Sequence, residues 1–411
     1  MTDGFRRLSR NRSFALLWSG QTVSFFGDAF FNLAVMWTVW SETQSTFQTA
    51  IIQAIWQLPD VLFAPLAGVL ADRWNRKAIM LTTNLGAAAV VGAVALIVVV
   101  VGHLPPIVAF VAIFKLNGLT TFMQPARASV MPSVVGRDLL TTAQGLFATA
   151  RETASLVGSA AAGLLIAAAG SVWALVVDAA TFLFVALCIA LARLPGRAGA
   201  SKGKAGSGLS VKVVARDLRD GWRAASRHRV VHALLWLGVL LNVASFIGPL
   251  WPALVQDRLG GGAGAYGLLL AASAAGAMLG GLVAGPLERR FGAGRILASS
   301  WSLAGMCTLG IAASTWLPVT MILEFIETGT ITAGMIATGA ILIAAVPEAY
   351  RGRVFGIVRG MGVALIPISA LAGGWIAEFT EVWIMFAAAG GFILTVAILA
   401  WANPHVRGAR I

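Results

Sequence analysis

The sequence predicts an all-α membrane protein in which twelve transmembrane helices form two pseudo-symmetric six-helix bundles around a central cavity. Three observations lead there. Only 11% of the 411 residues are charged and 58% are hydrophobic, against about 25% charged in soluble domains. Apolar runs long enough to cross a bilayer, about 20 residues each, recur along the whole chain with short loops between them. Landmarks of the first half return in the second at a near-constant offset. Twelve helices of that length use roughly 240 residues, which leaves short loops and no separate water-soluble domain.

Taken in order, the predicted spans are 13–40, 46–70, 78–101, 104–124, 139–169 and 171–193, then 230–256, 262–287, 294–314, 317–345, 352–378 and 381–402. The first span follows a basic N-terminus without a convincing cleavage site, so it reads as a retained helix and not a signal peptide. Between the sixth and seventh spans lies the one sizeable loop, 194–229, which divides an N-terminal bundle (1–193) from a C-terminal bundle (230–411). Its first half, Pro195 to Gly208, is a Gly, Ala, Ser and Lys tether. In its second half Val211, Val214, Leu218, Trp222 and Ala225 recur at helical spacing, with Lys212, Arg216, Arg219, Arg223 and Arg227 between them. That pattern predicts a basic amphipathic helix lying on an anionic membrane surface.

The net charge of +13 would suggest nucleic acid in a soluble protein, but the basic residues sit in alternate loops, as the positive-inside rule requires. Arg6, Arg7, Arg10 and Arg12 precede the first span. Arg73, Arg76 and Lys77 follow the second, Arg289, Arg290 and Arg295 the eighth, and Arg407 and Arg410 end the chain. The intervening loops, such as His103 to Pro106, are nearly uncharged. Both termini are therefore expected in the cytoplasm, and no nucleic-acid partner is expected. Cys188 and Cys307 both fall inside spans, which disfavours a disulfide or a zinc site. The four histidines stand in or beside loops without ligand spacing, so neither a metal nor a cofactor is expected.

The repeat is carried by separate landmarks. Gly68-x-Leu70 before Arg73-Trp74 is matched by Gly285-x-Leu287 before Arg290-Phe291. Met131-Pro132 before Gly145 and Gly158 is matched by Val346-Pro347 before Gly360 and Gly373. Both pairings have an offset of about 215 residues, half the chain. A shared offset points to duplicated six-helix halves. The second copy has no acid at the position of Asp72.

The loop Gly68-Val69-Leu70-Ala71-Asp72-Arg73-Trp74-Asn75-Arg76-Lys77 resembles the helix 2–3 signature of the major facilitator superfamily, Gly-x-x-x-Asp-Arg-x-Gly-Arg-Arg/Lys. One position departs, Asn75 for the second glycine. Asparagine tolerates the left-handed backbone that a glycine at such a turn implies. Pro125-Ala126-Arg127 with Pro132, Ser24-Phe25-Phe26-Gly27-Asp28, and Gly352-Arg353-Val354 resemble the branch that contains macrolide-efflux and enterobactin-export proteins. The helix-5 motif of such exporters, Gly-Pro-x-x-Gly-Gly, stands here as Gly158-Ser159-Ala160-Ala161-Ala162-Gly163, without the proline but with close small-residue packing retained.

A charge inside the bilayer is costly and faces a cavity or a partner. The embedded acids are Asp28, Asp60, Glu152, Asp178, Glu324 and Glu327, and the embedded bases are Lys115, Arg151 and Arg359. The surplus of carboxylates is the main sequence argument for proton coupling or cationic cargo. The proton-coupling candidates are Asp28, Lys115, Glu152, Glu324 and Glu327. Asp28 lies in helix 1, which lines the cavity in the resembled fold. Lys115 is about ten residues into helix 4, hence ~15 Å deep, near a helix-4 arginine that the resemblance implicates in proton handling. Glu152 is at a similar depth, so a Lys115–Glu152 pair is expected, while Arg151 points away and needs another partner. Glu324 and Glu327 are three apart on one helix face and mark the foremost proton site. Asp60 and Asp178 read as structural acids, the latter in a helix that packs outside the cavity of the resembled fold. Arg359 is placed against the inner cavity or against a partner on helix 2 or helix 4.

The cavity candidates are Phe26, Phe30 and Trp37 on one face of helix 1, with Asn32, Gln57 and Trp251. The resemblance implies a cytoplasmic gate of Gly68, Asp72, Arg73, Arg76, Arg127 and Arg353. In it Asp72 caps helix 11 and pairs with Arg127 or Arg353, while Gly68 and Gly373 let helices 2 and 11 approach. The implied activity is secondary active transport: proton-coupled export of amphipathic or aromatic small molecules by alternating access, from a monomer in the bacterial inner membrane. A siderophore or lysophospholipid exporter is the alternative within the fold. A non-transporting membrane sensor is the alternative outside it. With no nucleophile–base constellation, an enzyme is not expected.

Overall fold

The computed structural model describes residues 2–194, 228–346, 354 and 365–409; within these, the side chains of 2–5, 61, 64–65, 68–69 and 71–73 lie outside the description. The amphipathic segment 211–227 and most of the eleventh span, with Arg353 and Arg359, also fall outside it. The described chain is helical almost throughout. The helices are α1 (Thr2–Ser9), α2 (Arg12–Thr43), α3 (Thr46–Arg73), α4 (Arg76–Val101), α5 (Pro106–Val135), α6 (Leu140–Ala169) and α7 (Ser171–Leu191), followed by α8 (Arg229–Arg258), α9 (Ala263–Phe291), α10 (Ala293–Ala313), α11 (Leu317–Ala345), α12 (Leu365–Ala377), α13 (Val382–Ala402) and α14 (Pro404–Arg407). Among the described residues ten of these are long and apolar enough to span a membrane. The 28-residue α3 stands at the second predicted span, and α12 lies within the eleventh.

Side-chain caps set several boundaries. The carboxamide oxygens of Asn11 and Asn75 and the hydroxyl of Ser45 accept from the N–H groups of Phe14, Ala78 and Gln48, which open α2, α4 and α3. Asn75 has φ −65°. The expected left-handed turn is therefore not what this position supplies: Asn75 is an extended N-cap, and its carboxamide satisfies one of the amides left open at a helix start. The largest boundary difference is in α5, which continues eleven residues past the expected end at 124 and carries Pro125 and Pro132 inside it. Transmembrane helices tolerate such prolines because neighbouring groups re-satisfy the backbone they free.

The chain divides into two compact units. The first comprises Met1–Ser201 and Gly261–Ala271, the second Lys202–Gly260 and Ala272–Ile411. In the first, α2 packs on α6 and α7, α3 on α5, and α4 on α5 and α7. In the second, α10 packs on α11 and α13, and α8 packs on α13. The contacts α4–α5, α4–α7 and α2–α7 thus recur as α10–α11, α10–α13 and α8–α13, the pattern that a duplicated unit would give.

Small residues set how closely these helices approach. Added Cβ atoms on Gly276 and Gly280 of α9 would run into the backbone carbonyls of Phe325 and Gly329 on α11. Gly281, next along α9, faces open space. Gly280→Ala should therefore lower the stability of the detergent-solubilised protein by about 1–3 kcal/mol, the usual cost of overpacking. Gly281→Ala should leave the unfolding temperature unchanged or slightly raised. Equal midpoints for the two variants would show that the α9–α11 contact is not close-packed.

Candidate functional site

Four of the six acids that the sequence singled out, Asp28, Asp178, Glu324 and Glu327, fall into one cluster in each unit. In the second unit Glu324 and Glu327 are both buried, at 5% exposure, on the same face of α11. The hydroxyl of Thr308 on α10 donates to Glu327 Oε1 at 2.9 Å, and Glu327 Oε2 is buried without a partner among the described residues. Ser273 of α9 lies near Glu324, and Cys307 is close enough to feel both carboxyls. No cation is paired with either acid among the described residues, where the one ion pair is Arg7–Asp138 at 3.2 Å on the surface.

In the first unit Asp28 sits half-buried on α2, directly after Gly27. The hydrogen of Gly27 leaves space for Asp178 and Thr181 of α7, whose Oδ1 and Oγ1 any side chain at 27 would strike. Asp178 is fully buried. Thr181 Oγ1 donates to its backbone carbonyl at 2.8 Å, and Asp178 Oδ2 has no partner among the described residues. Asp28 and Asp178 lie within electrostatic reach of each other, and Arg151 acts on Asp28. Asp178, expected as a structural acid, thus stands beside a proton-coupling candidate. A glycine immediately before Asp28 was the available sign that another group needs room there.

Arg151 finds its partner in an aromatic face, its guanidinium standing 5.2 Å from the Phe25 ring centroid. The expected pair of Lys115 and Glu152 is not formed: Lys115 is exposed on α5 and Glu152 half-buried on α6, with no ion pair between them. The packing explains this, since α5 lies chiefly against α3 and α4 whereas α6 lies against α2. Asp60 is exposed and accepts a 2.6 Å hydrogen bond from Thr121 Oγ1 on α5.

Of the cavity candidates, Phe30 is buried, and Phe26, Asn32, Trp37 and Gln57 are half-buried. Phe26 borders Gly158, and Trp37 stands 6.1 Å from the ring of Tyr266. Trp251 is half-buried as well and packs against a buried cluster, edge-on to Phe386 at 4.8 Å.

At the predicted gate, the backbone places Gly68, Asp72 and Arg73 in the last turns of α3, their side chains lying outside the description, as Arg353 does altogether. Arg76 Nη1 donates to the carbonyl of Ser129 on α5 at 3.2 Å. Lys77 Nζ donates to the carbonyls of Ala190 and Ala192, both at 2.8 Å, where a cation also complements the C-terminal end of α7. Arg127 bonds Gln124 at 2.8 Å and lies 5.1 Å from the Phe147 ring centroid. Its Nη1 is buried with no partner among the described residues. Gly373 faces Phe246 of α8 within its own unit.

Long apolar spans, two helical units and withdrawn carboxyls define a multi-pass membrane transporter of the major facilitator type. The chain belongs to the MFS_3 family, described as transmembrane secretion effector, which it matches over residues 5–408. It is similar to macrolide efflux protein A of Streptococcus pyogenes, with 26% identity over 396 residues and 94% of each chain covered. It is also similar to the multidrug efflux pump Tap of Mycolicibacterium fortuitum, with 25% identity and 93% of each covered. Among solved structures it resembles the nucleoside transporter NupG, at TM-score 0.74 and 14% identity, over 95% of this chain and 98% of that one. It also resembles an inward-facing bacterial homologue of the iron transporter ferroportin, at TM-score 0.66 and 17% identity, over 95% and 98%. At such identities the structural likeness speaks for the fold alone. These relatives and neighbours are transporters, not enzymes.

The contact between Thr308 and Glu327 can be tested directly. Thr308→Val keeps the shape and removes the donor, so it should cost about 1–3 kcal/mol through a buried acceptor left unpaired. Thr308→Ser should restore most of that loss. An unfolding midpoint for Thr308→Val equal to that of the unaltered protein would remove the contact from the account.

Proposed function

We propose that the protein is a secondary active transporter that exports amphipathic or aromatic small molecules in exchange for protons, by alternating access. The observation that carries this reading is the Glu324–Glu327 pair: two carboxyls on one helix face, buried, with one oxygen unpartnered and no cation beside them among the described residues. Two uncompensated charges in such a place are costly, so proton uptake and release there shifts the balance between two packings of the surrounding helices. Asp28, with Asp178 behind it and Arg151 in reach, forms a second titratable cluster in the other unit. Lys115 and Glu152 serve this scheme as separate groups, since they do not pair.

The cargo class follows from the half-buried aromatic and amide surface of Phe26, Asn32, Trp37 and Gln57. It also accords with the macrolide and multidrug names of the relatives. Halves 1–193 and 230–411, joined by 194–229, are the bodies that rock against each other. Alternating arginine-rich loops put both termini in the cytoplasm of a bacterium, with the monomer as the working unit in its inner membrane. Arg127, with a buried Nη1 unsatisfied, is the partner available to Asp72 when the cytoplasmic side closes, with Arg73 and Arg76 holding the loop.

In proteoliposomes an imposed proton gradient should drive movement of a lipophilic cation or a macrolide. Glu327→Gln should bind cargo but lose at least tenfold of the gradient-driven rate and its pH dependence. No response across a broad panel of amphipathic compounds would exclude drug export, and unaltered coupling in Glu327→Gln would exclude its proton role. For the gate, Asp72→Asn and Arg127→Gln should each raise the labelling rate of single cysteines placed on the cytoplasmic side by several-fold. Labelling that stays at the original rate in both variants would dismiss the Asp72–Arg127 contact.

A further inference from the structure

The second unit carries two adjoining cavities that the transport reading does not use. The larger, of about 590 Å³, is an apolar trough between α9, α10 and α11 with Trp401 of α13 at its edge. It runs along α9 from Gly276 to Phe291, which at 1.5 Å per residue is about 22 Å. Its flanks are open at the surface: Leu279, Leu303 and Phe291 are each 40–47% exposed. The smaller cavity, of about 230 Å³, lies at the arginine-rich end, lined by Gly292, Arg295, Arg407 and the chain at Gly408 and Ala409. Phe291 and Arg295 line both cavities, so the trough and the basic cup meet at these two side chains.

An apolar channel that opens into a cup with two guanidinium groups has the layout of one amphipathic anion. The trough is longer than the ~15 Å that one leaflet contributes to a hydrocarbon core of ~30 Å. An acyl chain of that leaflet therefore fits along it with its headgroup at the level of Arg295. Arginine forks match phosphate oxygens, and basic residues at this depth attract anionic lipid. A protein partner is disfavoured, because the trough's open side belongs to spans whose surroundings are hydrocarbon. We infer that this groove is a binding site for an anionic phospholipid, with the phosphate between Arg295 and Arg407 and one acyl chain along α9. All lining residues lie in the second unit, so the site does not depend on the identity of the cargo.

Native mass spectrometry of the full chain in detergent tests this, with phosphatidylglycerol and phosphatidylcholine of identical acyl chains. Phosphatidylglycerol should bind about 30-fold more tightly, which is two basic residues at about 1 kcal/mol each. Arg295→Gln with Arg407→Gln should erase most of that preference, whereas Arg295→Lys with Arg407→Lys should keep much of it and so report on charge in a folded protein. Ser299→Trp, which fills the trough and keeps both arginines in the chain, should weaken both lipids at least fivefold. The inference is overturned if the two lipids bind alike, if the glutamine pair keeps the preference, or if Ser299→Trp binds as tightly as before. It is equally overturned if inorganic phosphate alone raises the unfolding temperature as much as phosphatidylglycerol does, since the site would then hold a free anion.

Discussion

Inside a bilayer no water is available to the peptide group, so every buried N–H and C=O must be satisfied by the protein. The rest of this structure follows from that. It makes the described chain helical, and it turns polar side chains back onto their own helices. The hydroxyls of Thr22, Thr43, Thr83 and Ser129 each donate to the carbonyl four residues earlier, at 2.6 to 2.8 Å. It also leaves shape as the main force between helices, because lipid tails are as apolar as the side chains they meet. Hence the glycines at Gly27, Gly276 and Gly280, where backbones or polar groups of neighbouring helices come close.

The same constraint governs the acids. Asp60, Asp178 and Glu327 are each met by a threonine: Thr121 from α5, Thr181 from the next turn of α7, and Thr308 from α10. A hydroxyl can donate to a carboxylate or accept from a carboxylic acid. It therefore serves either charge state, whereas an arginine would hold the carboxylate ionised. Threonine partners suit a carboxyl whose charge changes during a cycle.

The fold was legible because apolar length and loop charge are local properties, readable residue by residue. Where an expectation failed, the cause was a packing or hydrogen-bonding partner that apolar length does not encode. The fourth span was expected to end at 124, whereas α5 runs on through Pro125 and Pro132 to Val135. Asn75 looked like a glycine substitute because the motif was read as a turn, while its carboxamide is spent on the N–H of Ala78. Lys115 and Glu152 matched in depth, but depth says nothing about azimuth, and their helices face different neighbours. Asp178 was set aside since nothing in the sequence near it mentions Gly27, some 150 residues earlier. The lipid-sized groove was invisible for the same reason: Arg295 and Arg407 belong to segments far apart in the chain.

The seventh span shows how such errors arise even within one helix. Residues Ala244–Leu250 of α8 are wound as 3-10 helix, with Pro249 inside, before a wider turn at Leu254–Arg258. A 3-10 helix advances about 2.0 Å and 120° per residue, where an α-helix advances 1.5 Å and 100°. Over seven residues the difference amounts to about 3.5 Å of depth and about 140° of rotation. A helical wheel drawn from Arg229 therefore assigns Trp251 to nearly the wrong side of the span. Trp251, just past this segment, stands edge-on to Phe386. Each residue that rewinds between the two forms turns the lower half of this helix by about 20°. Rewinding here would therefore turn one end of the span against the other, as a screw thread does.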